Sequence, residues 1–432
     1  FNQGTLTLNS STVSDNYYGI LNEGTLTLNN SAVSSNFGRF FGGVGNRGTM
    51  TMTDSAVSDN GARYVGGVYN RGSLTLTNSS ISGNSVSRSV GGLANYGTAT
   101  LINSTVSKNS ASGRYAYYGS AGGVGNSGTL VLTNSTVSGN VGTQDEAYSA
   151  PGAGGIKNRK TLTVTNSTIS GNQSISSNPD TFGGSGGIAN TGKLTLKRTV
   201  VSGNTGPEAA EILLDSGTVS ANSFNLFGHS DVSGVVGFVP GAKDIVPTQA
   251  LNQILGSLAN NGGPTETHRL PPGSPAVDAV EKGCPPPAID QRGEARPQDG
   301  DGDGTALCDS GAFERTVAAP SCAGGPTSGC TVNGIANQLC IGTTGADVIL
   351  GNNSNNVIQG LGGNDSIRGG QGDDVICGND GRDNLFGEKG DDQLSGGPGN
   401  DALDGGKGPD TCDGGAGSKD SAVSCNTVLG VP

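Results

Sequence analysis

A carboxylate or carboxamide recurs at every ninth residue from 347 to 410: Asp347, Asn356, Asp365, Asp374, Asp383, Asp392, Asp401 and Asp410. Carboxylates are hard oxygen donors, and a close column of them repels itself unless a cation lies between. Calcium, which takes about six to eight oxygens in adaptable geometry, suits such a column, and Ca2+ is the cofactor expected.

The elements that must position these groups are eight consecutive nine-residue units over 342–413, from GTTGADVIL to GGKGPDTCD. Each opens with Gly, seven carry Asp at the sixth position, and seven carry Ile or Leu at the eighth. The Gly-rich half suits a tight turn. The other half is a short strand with one inward apolar side chain, which a single unit cannot bury alone. Two units make one solenoid turn, so carboxylates 18 residues apart come within roughly 5 Å of each other. The expected ligand pairs are Asp347 with Asp365, Asn356 with Asp374, Asp365 with Asp383, Asp374 with Asp392, Asp383 with Asp401, and Asp392 with Asp410. A disordered Gly/Asp linker would explain the composition but not the unbroken phase. The units resemble the RTX (hemolysin-type) calcium-binding β-roll, whose motif is GGxGxDxUx. Ser354 and Asn356 depart from it, which implies a weaker second site, and Cys412 replaces an apolar residue.

The net charge of −12 is unevenly spread: residues 342–425 hold 14 Asp/Glu against 5 Lys/Arg, whereas residues 1–222 hold 10 against 13. The acidity therefore belongs to the metal-binding segment and argues against nucleic acid as a partner. All eight cysteines lie between 284 and 425. An even count at short spacings reads as disulfides formed in an oxidising compartment, with Cys284–Cys308, Cys322–Cys330, Cys340–Cys377 and Cys412–Cys425 as the preferred pairing. Zinc is the alternative use, but no CxxC pair occurs and the only histidines are His229 and His268. The sequence shows no signal peptide and no membrane span, so a secreted chain whose N-terminal signal has been removed is the expectation.

An independent repeat fills residues 1–204, as in TLTLNSSTVSDN (5–16), TLTLNNSAVSSN (25–36) and TLTVTNSTISGN (161–172), most copies preceded by a motif such as GGVGNRG (42–48). Alternation with period two over such short runs indicates strands. Aligned coils give apolar ladders at Leu6, Leu26, Met50, Leu74, Leu130, Leu162 and Leu194, and at Val13, Val33, Val57, Ile81, Val106, Val137, Ile169 and Val201. A column from Asn16 through Asn204 is expected at a turn, where Asn tolerates left-handed backbone. The repeat resembles pectate-lyase-like and bacterial surface β-helix proteins. The fold expected is all-β: a right-handed parallel β-helix (1–228), an irregular Pro-rich segment (229–320), a Cys-containing connector (321–341) and a calcium-binding β-roll with its tail (342–432).

The interval between column asparagines grows from 20 to 32 residues, and all the added length follows the Asn. These insertions hold Tyr18, Phe40, Phe41, Tyr64, Tyr115, Tyr117, Tyr118 and Tyr148, with Arg39, Arg63, Arg88 and Arg114 among them. Insertions on one side of a solenoid commonly form its binding face, and Tyr/Arg enrichment suits an interface with a glycan or cell-surface ligand. The competing reading is that the aromatics only pack their own loops down.

Within 258–314, LANNGGPTETHRLPPGSPAVDA, DQRGEARPQDGDGDG and CDSGAFE resemble the choice-of-anchor Q region of bacterial surface proteins. The resemblance implies an extracellular location and no reaction. Asp299, Asp301 and Asp303 begin like an EF-hand loop, but Ser310 stands where its Glu belongs; a looser calcium site using Asp309 or Glu314 is the remaining option. The exposed strand faces of the coils read as Thr, Ser and Asn, which suits a structural ladder, and acidic residues are scarce there; Asp15 and Asp59 share a column with no third acid or His, so catalysis is not expected. Phe1–Gly4 aligns with Leu21–Gly24, so the chain starts inside a coil. Either a cap has been lost, or coils stack end to end into a filament. The function expected is an extracellular, calcium-stabilised structural or adhesive β-solenoid. The alternative is a carbohydrate-binding or polysaccharide-cleaving β-helix.

Overall fold

The computed structural model describes residues 1–112, 120–144, 152–176, 184–298, 300, 305–316, 326–417 and 419–431. The chain divides into two compact units, one comprising Phe1–Gln298 with Leu307–Arg315 and the other carrying the nine-residue repeats.

In the first unit each coil sends its alternating apolar residues inward, and like residues stack because all strand pairs between coils are parallel and in register. Three nine-stranded sheets result, beginning at Thr5–Asn9, Thr12–Ser14 and Ile20–Asn22, with a six-stranded sheet of short strands beside them. Leu26 pairs with Met50, Met50 with Leu74, and Leu130 with Leu162. The valine ladder runs from Val13 to Val201 and closes on Phe227. This is a parallel β-helix with a continuous apolar core.

The asparagine column does more than turn the chain. The left-handed residue is the one before it, as at Asp59 (φ 55°), Gly83 (φ 65°) and Lys108 (φ 57°), so the expectation of left-handed asparagines is corrected. The Asn side chains point inside. Each carboxamide donates to the Oδ1 one coil further on: Asn60 to Asn84 at 3.0 Å, Asn84 to Asn109 at 2.9 Å, and Asn172 to Asn204 at 2.8 Å. A second internal ladder links Asn22, Asn46, Asn70, Asn95, Asn126, Asn158 and Asn190. A third uses Ser31, Ser55, Ser79, Ser104 and Ser135, each backbone N–H donating to the next hydroxyl. Two columns end in acids. Asn204 donates to Glu211, and at the C-terminal end of the serine column Thr199 donates to Asn225, which donates to Asp244.

The Pro-rich segment belongs to this same unit and lies as a strap over the later coils. Gln291 accepts from Thr136 at 2.7 Å and donates to Thr105 at 2.8 Å, and the Ala312 N–H donates to Thr168 Oγ1 at 3.1 Å. Thr105, Ser107, Thr136, Ser138, Thr168 and Ser170, which read as outward polar positions, are therefore buried. Inside the strap, Arg296 and Glu314 pair at 2.9 Å with both side chains fully buried, and Arg292 pairs with Asp290 at 2.8 Å.

In the second unit, alternate nonamers enter alternate sheets. Val348–Leu350, Ser366–Gln371, Asn384–Lys389 and Ala402–Lys407 stack in one; Val357–Gly362, Val375–Asp380, Gln393–Pro398 and Thr411–Ala416 stack in the other. Partners are 18 residues apart, as in Ile367 with Leu385 and Ile376 with Leu394, which gives a parallel β-roll of two units per turn. Its core is two facing files of Ile and Leu, one from each sheet, with Cys330 and Cys340 at one end and Cys412 at the other.

The disulfides correct part of the expected pairing. Cys284–Cys308 and Cys412–Cys425 are present, but Cys330 bonds Cys340. The antiparallel hairpin Ser328–Val332 with Ile335–Leu339 brings these two together, which removes both Cys322–Cys330 and Cys340–Cys377. Cys377 is itself disulfide-bonded, and Cys322 lies outside the described residues.

Candidate metal centre

The parallel register of the roll sets the geometry of the aspartate column. Each Oδ1 accepts the backbone N–H of the column residue one turn earlier: Asp365 from Asp347 at 2.9 Å, Asp374 from Asn356 at 2.7 Å, Asp383 from Asp365 at 2.8 Å, and Asp392 from Asp374 at 2.8 Å. Asp401 and Asp410 accept from Asp383 and Asp392, both at 2.8 Å. That bond fixes each carboxylate against the turn. The other oxygen, Oδ2 of Asp365, Asp374, Asp383, Asp392, Asp401 and Asp410, is buried with no hydrogen-bond partner.

These orphaned oxygens face the glycine that opens each unit. A Cβ at Gly360 would collide with Asp365 Oδ2 and the Gly378 carbonyl; one at Gly369, Gly378, Gly387 or Gly396 would meet the Oδ2 five residues on and the glycine carbonyl one turn on. The missing side chain thus leaves a cradle edged by carboxylate and carbonyl oxygens. Left-handed backbone at Gly372 (φ 109°), Gly390 (φ 136°) and Gly408 (φ 138°) shapes the turn and explains the second recurrent glycine.

Without a cation the column is electrostatically costly. Burial, followed by neighbouring carboxylates, pushes Asp374 up to about 7 and Asp383 and Asp392 up to about 6, and raises Asp365, Asp401 and Asp410 as well. Orphaned oxygens, glycine cradles and a hard-oxygen donor set all fit Ca2+, which when bound supplies the missing positive charge. No cluster of three or more Asp, Glu, His or Cys occurs among the described residues. A cation held here would draw on the glycine carbonyls as well as on the carboxylate of each cradle.

The ends of the column differ from the expectation. Asp347 is fully engaged: Oδ1 accepts from Asn333 at 2.5 Å and Oδ2 from the Thr343 N–H at 2.6 Å. Burial alone would raise its pKa, but these bonds together hold it below the usual carboxylate range. Asn356 Oδ1 accepts from the Asn352 N–H at 2.9 Å. The first orphaned oxygen therefore belongs to Asp365. At the other end the sequence reading missed Asp420, whose Oδ1 accepts from Asp401 at 2.8 Å and whose Oδ2 is orphaned beside Gly414. One extra residue puts it 19 rather than 18 positions after Asp401, which breaks the phase; the Gly-Gly before it was the available signal.

The secondary candidates fare differently. Asp309 Oδ1 accepts from the Asp278 N–H at 2.8 Å and its Oδ2 from the Arg315 N–H, while Glu314 binds Gln298, Asp309 and Arg296. Both carboxylates brace the strap and offer a cation no free oxygen. Asp299, Asp301 and Asp303 lie outside the described residues, as do Tyr115, Tyr117, Tyr118 and Tyr148. Of the other aromatic candidates, Phe41 is buried, Tyr18 and Tyr64 are half-buried, and Phe40 is exposed. Phe41 is thus a packing residue and not part of a binding face: with Tyr69, Val65 and Val90 it forms a small cluster outside the main core.

Residues 341–376 and 378–412 match the family described as RTX calcium-binding nonapeptide repeat (4 copies). The C-terminal unit is therefore a roll of RTX repeats, a class that binds Ca2+ as a structural ion. No curated protein matches the chain. Among solved structures it is similar to one titled crystal structure of pectate lyase Pel9A, with 15% identity, 73% of this chain and 86% of that chain covered, and a TM-score of 0.35. No helix among the described residues is long and apolar enough to cross a membrane.

Proposed function

We propose that this protein is an extracellular, non-catalytic β-solenoid with an adhesive or structural role, its C-terminal roll ordered by calcium. The observation that carries the calcium dependence is the file of buried, unpartnered Asp Oδ2 atoms, each in a glycine cradle. Extracellular calcium reaches the millimolar range in which such modules load, and disulfides persist in that compartment. The strap motifs DQRGEAR and CDSGAFE, which resemble the choice-of-anchor Q region, support a surface location.

The non-catalytic reading rests on the first unit's titratable groups. The buried acids Glu211, Asp290, Asp309 and Glu314 are all engaged by backbone N–H groups or arginines that hold the fold. His268 is held between Ser138, at 2.9 Å, and the Gly256 carbonyl, at 2.7 Å, where it ties the strap to the coils.

The test is a calcium titration of the oxidised full chain by calorimetry with circular dichroism. Several ions bound with a gain of β signal supports the reading; no binding and an unchanged spectrum removes it. A filament form of the same function requires concentration-dependent polymer in calcium, and a strict monomer at high concentration eliminates that form alone. Release of reducing or unsaturated sugars from a polysaccharide would overturn the non-catalytic part.

A further inference from the structure

The strap covers only part of the sheet it lies on. The first outward position of that sheet runs in register through Thr12, Ala32, Ala56, Ser80, Thr105, Thr136 and Thr168. Thr105, Thr136 and Thr168 are at most 2% exposed, whereas Thr12 is exposed and Ala32, Ala56 and Ser80 are half-buried. The second outward position shows the same step: Ser107, Ser138 and Ser170 are buried, and Ser14, Ser34, Ser58 and Ser82 are half-buried. The strands themselves continue unchanged across the step, so it marks where the strap ends.

The strap shows what this face accepts. Thr105 Oγ1 donates to the Glu266 carbonyl at 2.8 Å, Asn134 Nδ2 donates to the Ile289 carbonyl at 2.8 Å, and the Thr265 hydroxyl donates to the Asn103 carbonyl at 3.0 Å. The carboxamide of Gln291 spans two coils by bonding both Thr105 and Thr136. At the left-handed turn that follows the strand, Lys108 pairs with Glu266 of the strap at 3.0 Å. Irregular polypeptide therefore docks here through main-chain carbonyls and an amide side chain, with its charge opposite to that of the turn.

Beyond Pro264 and Thr265 the same face continues as a groove of about 450 Å³, floored by Thr12, Ala32, Ala56 and Ser80 and edged by Asp54. Its charge is reversed. The turn column that carries Lys108 carries Asp15 and Asp59 here, and Asp54 stands at the opposite end of the strand from Asp59. The repeat segments 5–16, 25–36, 49–60 and 73–84 contain these three Asp and no Lys or Arg, so the complement of the groove is a cation. None of the three pairs with a cation among the described residues.

We propose that this open half of the face binds an extended, basic segment of a partner protein, laid across the first four coils as the strap is laid across the later ones. This names a partner class for the adhesive reading and rests on it. Asp15 and Asp59 are two coils, roughly 10 Å, apart, which is the span of three extended residues at about 3.3 Å each. A segment with Lys or Arg at every third position meets both, while its carbonyls and amide side chains take the Ser80 and Thr12 hydroxyls.

The test uses the oxidised, calcium-loaded full chain and three capped, fluorescent 12-residue peptides, read by anisotropy. They are (Lys-Thr-Gln)4, (Glu-Thr-Gln)4, and a peptide of the first one's composition with its four lysines contiguous. The first is expected to bind, the acidic one not to, and the contiguous one to bind more weakly. Ala56→Arg fills the groove with a like charge from an outward position and is expected to weaken binding at least about tenfold with the melting temperature unchanged. Asp15→Asn and Asp59→Asn, which keep a residue tolerant of left-handed backbone (φ 60° and 55°), each weaken it about threefold. Asp231→Asn, at an exposed acid outside the groove, leaves it unchanged. No binding, equal binding of the two lysine peptides, or affinity untouched by the Ala56 and Asp variants overturns the proposal. A dimer in sedimentation that Ala56→Arg dissociates would seat a second copy in the groove and overturn it as well. Circular dichroism on the same samples separates the failures: a roll that orders in calcium with no peptide bound removes the partner and leaves the broader function standing.

Discussion

The side-chain amide of Asn204 donates to Oε2 of Glu211, while the Gly203 N–H donates to Oε1 of the same carboxylate at 2.9 Å. The last asparagine of an internal ladder is thus received by an acid buried at 1% exposure. Burial pushes Glu211 up to about 7, partly opposed by the bonds from Asn204 and Gly203. The folded state therefore holds a proton that the unfolded state has lost between about 4.5 and 7. Stability from this group is complete below about pH 4.5 and is lost as pH rises to about 7. Denaturant melts in saturating calcium are expected to show this decline in the first unit. Burial also pushes Asp309 up to about 7 and Glu314 up to about 8 in the same unit, so Glu211→Gln should lessen the decline by one group's share, and an unchanged slope would contradict the assignment.

Asn84 serves as donor and acceptor in mid-ladder. It donates to Asn109 Oδ1 at 2.9 Å and to Val57 O at 3.0 Å, and accepts from Asn60 through both its N–H and its carboxamide at 3.0 Å. Asn84→Ala strands these groups in the interior and is expected to cost about 3 kcal/mol. Thermal and urea unfolding of the first unit measure it; a loss below about 1 kcal/mol would mean the ladder relaxes around the gap.

In the roll, Asp383→Asn keeps an acceptor for the Asp365 N–H but removes one negative charge from the cradle beside Gly378. Calorimetry should count at least one fewer calcium ion, with the unfolding of the first unit unaffected. Unchanged stoichiometry and affinity would show that carbonyls alone suffice.

Leu361 holds a left-handed backbone (φ 79°) at the second position of its unit, where Gly370, Gly397, Gly406 and Gly415 also have positive φ. Replacement by glycine relieves that strain and gives back part of it as unfolded-state entropy. The net is a stabilisation of about 0.5 kcal/mol, read as a higher denaturation midpoint of the calcium-loaded roll.

Both solenoids were legible in the sequence because in-register stacking writes the same residue at the same depth in every coil, as at Val13, Val33 and Val57. The aspartate column was legible for the same reason, and Asp420 was not, because a single extra residue hides its phase. Contacts between distant segments leave no periodic trace. Nothing in the sequence joins Gln291 to Thr105 and Thr136, so polar positions that looked solvent-facing turned out to be covered. The insertions drew attention to Phe41, which is buried in a small cluster with Tyr69, because composition alone does not tell an aromatic that packs its loop down from one that faces solvent.

The ladders also constrain how such an array changes length over generations. A coil copied into the middle meets an acceptor ahead and a donor behind, the same partners its parent had, so internal duplication is nearly neutral. A coil appended beyond Glu211 would find a carboxylate that accepts from both Asn204 and Gly203 and has no N–H to pass onward. Asp244, which takes up both the N–H and the side-chain amide of Asn225, closes the serine column the same way. The two acids act as punctuation: the array can be lengthened from within, and its C-terminal boundary moves only if the acids move with it.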